Sequence, residues 1–187
     1  KVVIEEGIHD VGQMAFYELP NLTEVVLPES TDVPAYAKTF EQHRESYRRY
    51  NKAILDKAAE TAKRCNSVLF INALYDSGVG LRNTTYAFDR NGNFVGHYFK
   101  QHPTNGEVFN RQLDSEYSYE FSEPTYLDID GIRYCFLTCY DFYFYEAFAN
   151  ISRKNVDIII GCSLQRSDSH DAIETMCRFL AYNFNKV

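Results

Sequence analysis

The longest apolar runs in this chain are strand-sized, and amphipathic stretches at helical spacing alternate with them. That pattern restricts the fold to a layered α/β arrangement, with helices packed outside sheet. Residues 23–28 (T-E-V-V-L-P) read as a short apolar strand. Residues 34–65 read as helix, with Tyr47, Tyr50, Ile54, Ala58 and Ala62 on one face, ended by Asn66-Ser67. Residues 68–74 read as a buried strand. Two hairpins follow, 84–89 with 94–99 around Asn91-Gly92, and 126–129 with 133–138 around Asp130-Gly131. Between them, residues 104–122 are polar, tyrosine-rich and without period, which predicts a long loop with one helical turn, of the kind that usually carries function. A helical stripe from Phe144 to Ile151, a strand over 156–162 buried on both faces, and a last amphipathic helix carrying Ile173, Met176, Cys177, Leu180 and Phe184 complete the reading.

With 187 residues, 45% of them hydrophobic, the chain is expected to form one domain over 1–187 that needs no metal or disulfide staple. The stop at Val187, directly after a helix, predicts a domain lacking its last strands. Nineteen basic against 26 acidic residues leave a net charge of −7, which argues against binding a phosphate backbone or docking on an anionic membrane. No apolar window approaches the roughly 20 residues of a spanning helix. Of the five cysteines, Cys135 and Cys139 would lie about 13 Å apart along one strand. That is too far for a disulfide, so free thiols in a reducing, cytoplasmic setting are expected.

Glu29, Lys100 and Cys139 each fall just past an apolar run. In open α/β sheets the C-terminal ends of strands are where side chains converge on a ligand. A thiol, a carboxylate and an ammonium brought together there suit acyl transfer. The thiol at a strand-to-helix exit is an exposed nucleophile whose pKa a helix N-terminus would lower. The carboxylate accepts its proton, and the ammonium stabilises the oxyanion.

Leu27-Pro28-Glu29, Phe88-Asp89-Arg90-Asn91-Gly92 leading to Gly96-His97-Tyr98-Phe99-Lys100-Gln101-His102, and Thr138-Cys139-Tyr140-Asp141 together resemble the nitrilase (carbon–nitrogen hydrolase) superfamily, in the order and approximate separation of its glutamate, lysine and cysteine. The resemblance implies an αββα sandwich, no metal, no organic cofactor, a homo-oligomer, and hydrolysis of a small-molecule amide or nitrile through a thioester or thioimidate. Cys-Tyr-Asp looks more like the amidase branches. The continuation Phe142-Tyr143-Phe144-Tyr145-Glu146 keeps the family's aromatic and glutamate but lacks its arginine and proline. That departure argues against a substrate carboxylate needing a bidentate guanidinium.

The resemblance also implies a second, substrate-positioning glutamate after the lysine. Glu107 is the candidate, with Glu116 and Glu120 as competitors. The expected mechanism is a cysteine-dependent amidase in which Glu29 is the base, Cys139 the nucleophile, and Lys100 with the Tyr140 backbone N–H the oxyanion site. Two other readings remain open: a non-catalytic binding or regulatory relative of the same fold, and a papain-type hydrolase with His102 as base. His97 and His102 lack partners at ligand spacing, so no metal site is expected.

Overall fold

Strict alternation of side chains along the strands creates three separate cores, one between the sheets and one on the outer face of each. The computed structural model describes residues 2–3, 24–26, 29–34, 36–116, 126–163 and 170–184. Its central strand β3 (Val68–Asp76) lies between β2 (Glu24–Val26), to which it is parallel, and β4 (Leu81–Phe88), to which it is antiparallel. With β1 (Val2–Val3) and β5 (Phe94–Phe99) they form a five-stranded sheet in the order β1-β2-β3-β4-β5. A second sheet has the order β6 (Tyr126–Ile129), β7 (Ile132–Thr138), β8 (Ile158–Cys162), the first pair antiparallel and the second parallel.

Val68 and Phe70 point toward the second sheet and meet Tyr134, Phe136 and Ile160 from it, together with Val26, Ala87, Tyr98 and Ile129. Leu69, Ile71 and Ala73, half a period on, point the other way onto Ala58 and Ala62 of helix α2 (Lys52–Cys65). On the far side of the second sheet, Cys135 and Leu137 pack against Phe148 and Ile151 of α3 (Tyr145–Ser152) and Leu180 of α4 (His170–Phe184). The order of layers is helix, sheet, sheet, helix. No helix among the described residues is long and apolar enough to cross a membrane.

Both hairpins form where the turn chemistry places them. Asp130 (φ 55°) and Gly131 (φ 79°) make a two-residue turn with both central residues at positive φ, the geometry that matches strand twist. In the other turn Asp89 accepts from the backbone N–H groups of Asn91 and Asn93 at 2.9 and 2.8 Å. Gly92 there has φ 80°, and a Cβ on it would lie 2.5 Å from the Ala59 carbonyl oxygen of α2. Gly92→Ala should therefore lower stability by about 1–3 kcal/mol, read from urea unfolding, because positive φ and a backbone clash are both imposed. A change under about 0.5 kcal/mol would contradict the close seating of this turn on the helix.

Several expectations shift. Helix does not begin at Pro34: α1 spans Phe40–Ser46, started by Thr39, whose side chain and that of Gln42 form a reciprocal capping box. A π-helical turn, Tyr47–Asn51, then joins α1 to α2. The wide turn rotates the apolar stripe, so Tyr47 packs beside Leu74, Leu81 and Leu113 rather than with Ala58 and Ala62. Asn66 ends α2 in the left-handed conformation (φ 48°), as the Asn66-Ser67 break predicts. β8 begins at Ile158, and only Ile160 and Cys162 in it are fully buried, because it ends its sheet among the described strands. The segment 104–116 contains a π-helical turn, Gly106–Asn110. Thr23, Leu27, Pro28 and residues 117–122 of the predicted loop lie outside the described residues.

Candidate active site

At one end of the space between the sheets the alternating pattern turns from apolar to polar. Along β3 the inward positions run Val68, Phe70, Asn72; along β4 they run Ala87, Thr85, Asn83; along β7 they run Tyr134, Phe136, Thr138. Asn72 Nδ2 donates to Asn83 Oδ1 at 2.8 Å and to Thr85 Oγ1 at 3.2 Å, and Thr85 and Thr138 hydroxyls lie 3.4 Å apart. Buried polar groups survive there because each has a partner.

Three of the charged residues singled out from sequence meet on this floor. Lys100 follows β5 directly, its backbone N–H donating to the Asn83 carbonyl at 3.0 Å. Its Nζ is 3.0 Å from Glu29 Oε1 and 2.8 Å from Glu107 Oε2. Asn83 Nδ2 donates to both carboxylates, at 2.7 Å to Glu29 and 2.8 Å to Glu107, and Thr104 N–H donates to Glu107 at 2.7 Å. Lys100 is 1% exposed and Glu107 3%. Burial alone would discharge the Lys100 ammonium, but the two carboxylates outweigh it and hold its pKa well above the usual lysine range. Burial likewise pushes Glu107 up, and the Lys100 charge with the hydrogen bonds from Lys100, Thr104 and Asn83 brings it below its ordinary 4.5.

Glu29 is fixed through the residues that follow it. Ser30, at φ 60°, donates its N–H to Asn72 Oδ1 at 2.8 Å, and Thr31 N–H reaches the Asn72 carbonyl at 3.0 Å. The buried Asp32 carboxylate accepts from Leu74 N–H at 3.0 and 3.1 Å and from Asn51 Nδ2 at 2.9 Å. Asn51 closes the π-helical turn, so that irregular turn helps anchor the glutamate-bearing segment.

Cys139 comes from the other sheet. It follows β7 and opens a 3₁₀ turn, Cys139–Tyr143, at φ 48°. Its thiol is hydrogen-bonded to Ser163 and to Glu29. The expected lowering of its pKa does not occur. Burial first, and the Glu29 charge second, push the thiol up to about 11 against the pull of Lys100. A single 3₁₀ turn supplies too little dipole to reverse that. The Tyr140 side chain is 40% exposed, with its ring against those of Tyr143 and Phe144 at 5.6 and 5.2 Å. Its backbone N–H is the group adjoining Cys139.

The competitors sit elsewhere. Glu116 is exposed, and Glu120 lies outside the described residues. His97 is enclosed by the rings of Tyr75, Tyr86, Phe94 and Phe99 at 4.5–6.4 Å. His102 Nδ1 is 2.9 Å from Asp141 Oδ1. Among the described residues no group of three or more His, Cys, Asp or Glu side chains gathers as a metal site would require. All five cysteines are thiols outside any disulfide, and Cys135 and Cys162 are buried. Asn72, Asn83 and Ser163 escaped the sequence reading, and Asp141 entered it only as part of the Cys-Tyr-Asp motif, without a role. A signal for the first two existed, since period-two counting puts both asparagines on the inward face of apolar strands.

Known proteins share this fold. A profile of the carbon–nitrogen hydrolase family matches residues 17–183. Comparison with curated protein sequences gives no significant match. Among solved structures, the chain is similar to Nit3 of Saccharomyces cerevisiae, a member of branch 10 of the nitrilase superfamily. The TM-score is 0.73 at 21% identity, covering 92% of this chain and 62% of that one. It is also similar to a carbon–nitrogen hydrolase from Helicobacter pylori G27 (TM-score 0.70, 20% identity, 87% and 59% covered). An amidase from Nesterenkonia sp. gives TM-score 0.66 at 14% identity, with 88% and 60% covered. The chain thus spans about 60% of the length of these structures, and the likeness is one of fold. The family match over most of its length, on a mixed α/β fold shared with these structures, means that the chain belongs to the carbon–nitrogen hydrolase family of the nitrilase superfamily.

Proposed function

We propose that residues 1–187 belong to one carbon–nitrogen hydrolase domain acting as a cysteine-dependent amidase on a small molecule. The observation that carries this reading is the buried cluster in which one carboxylate, Glu29, is hydrogen-bonded to both the Lys100 ammonium and the Cys139 thiol. A thiol with a pKa of about 11 is almost wholly protonated at neutral pH, so attack needs a base in contact with it. Glu29 takes the Sγ proton as Sγ bonds the substrate carbonyl carbon. Lys100 and the Tyr140 N–H receive the oxyanion, and Glu107 orients Lys100 and the amide. Glu29 then protonates the departing nitrogen, ammonia or an amine leaves, and a thioester remains. Water, deprotonated by Glu29, attacks the thioester, and the acid and the Cys139 thiol are released.

Two further observations favour a carboxylate over an imidazole as base. Glu29 is the titratable partner of the Cys139 thiol, whereas the His102 Nδ1 is held by Asp141. A solved amidase of similar fold, from Nesterenkonia sp., is described with acrylamide added to its active-site cysteine in an E41Q mutant, which supports a cysteine–glutamate centre in this chain too. The exposed rings of Tyr145, Phe179 and Tyr182 support self-association. The test is ammonia release from a panel of small aliphatic amides, nitriles and carbamoyl compounds. At least one amide should be hydrolysed faster than any nitrile, and no turnover of the whole panel would overturn the reading.

A further inference from the structure

We propose that Asp141 is a positioning residue that fixes the cysteine turn to the lysine loop, so that one carboxylate brackets both reacting side chains. The inference rests on the amidase reading and adds to it a residue that touches neither substrate nor the reacting atoms.

Asp141 is 0% exposed and accepts four hydrogen bonds, two on each oxygen. Oδ2 takes the Thr138 N–H at 2.9 Å and the Tyr98 hydroxyl at 2.8 Å. Oδ1 takes the His102 N–H at 2.8 Å and His102 Nδ1 at 2.9 Å, which requires the ring proton on Nδ1. That fills the acceptor capacity of a carboxylate. The donors are not random. Tyr98 and His102 stand two residues either side of Lys100, and Thr138 and Asp141 stand either side of Cys139. Segments some 40 residues apart in sequence, on different sheets, are thereby locked together at the two places where placement matters most.

The anchors are themselves immobilised. The Tyr98 ring stacks on Phe136 between the sheets, 5.9 Å centroid to centroid at 20°, and the His102 ring stacks on Phe144 at 3.6 Å and 9°. Cys139 needs such support. A non-glycine residue at φ 48° costs about 1–2 kcal/mol and persists only where its surroundings over-determine it. The bond from Thr138 N–H to Asp141, paired with that from Asp141 N–H to the Thr138 side chain, supplies that support within the turn. Asp141→Asn must turn an N–H group toward two donors on one side, so it breaks either the cysteine half or the lysine half of the clamp.

The probe is iodoacetamide, with initial alkylation rates at each cysteine read by peptide mass spectrometry across pH, and exposed Cys177 as internal reference. A merely structural residue would not change the pH profile of the folded protein. In the wild type the Cys139 rate should climb close to tenfold per pH unit from about pH 8 to 10, while Cys177 flattens above about pH 9. Asp141→Asn should release the thiol from its packed place, and the Cys139 profile should flatten at least about one pH unit lower. Tyr98→Phe removes one donor and should move it part of the way. His102→Ala should flatten the profile, whereas His102→Gln, which keeps an N–H donor, should preserve it. Wild-type profiles in Asp141→Asn, Tyr98→Phe and His102→Ala alike would overturn the clamp and leave the amidase reading standing. If Asp141→Asn fails to fold, Tyr98→Phe and the His102 pair decide on the same criteria. If wild-type Cys139 already flattens with Cys177, the packed thiol that the clamp is meant to hold is absent and the clamp falls, while the amidase reading is decided by the turnover panel.

Discussion

Cys139→Ala is expected to reduce amide turnover at least about 10⁴-fold, since no other group can form the acyl intermediate. The loss should appear in kcat, with substrate still bound by what remains of the pocket. Stability should move in a different direction from activity. Cys139 occupies a backbone conformation that glycine adopts without strain, so Cys139→Gly should be inactive yet about 1 kcal/mol more stable than Cys139→Ala. Urea unfolding of the two variants checks this. Equal stability would mean that the φ of 48° is not a strained, function-imposed conformation. Wild-type turnover in either variant would remove the cysteine from the mechanism.

Lys100→Met should be the most damaging single change to stability, costing about 3–5 kcal/mol at neutral pH. The substitution keeps the stem but leaves Glu29 and Glu107 facing each other, both buried and both hydrogen-bonded to Asn83 Nδ2, with no cation between them. Its pH dependence has a definite sign. In the wild type the folded pKa of Glu107 lies below its ordinary 4.5, so its contribution is present above that value and lost as pH falls through the depressed one. Lys100 is raised above its ordinary 10.5, so its contribution is present below 10.5 and lost as pH rises through the folded value. Without the lysine, burial dominates Glu107 and raises its pKa. The variant should then gain stability on acidification through the range just above pH 4.5, where the wild type does not. A Lys100→Met protein with the wild-type pH profile would contradict the ion-pair account. Adding Glu107→Gln should recover part of the stability and none of the activity.

Much of the frame was legible because it is local. Hairpin turns at Asp89–Asn93 and Asp130-Gly131 follow from residues that tolerate positive φ, and the ends of β5 and β7 mark Lys100 and Cys139 as site candidates. What stayed hidden depends on contacts distant in sequence. Asn83 binds Glu29 across 54 positions and Lys100 binds it across 71, distances over which no periodicity carries information. The resemblance supplied Glu107 as a candidate, but only the turn at Gly106–Asn110 explains why that glutamate is buried while Glu116 is exposed. The π-helical turn at Tyr47–Asn51 broke the stripe predicted through Tyr47, because a helix pattern read at 3.6 residues per turn contains no signal for a wider one. The thiol pKa was misjudged for a related reason: a helix start was visible in the sequence, and the burial that chiefly raises the thiol was not.

The most direct test of a single reacting centre is peptide mapping of the full chain after rapid quench with a hydrolysable amide. The account predicts one added acyl mass, located on the peptide bearing Cys139, absent from Cys139→Ala and longer-lived in Glu29→Gln, where water lacks its base. An acyl group on Cys65 or Cys177, or steady hydrolysis with Cys139 never modified, would contradict it.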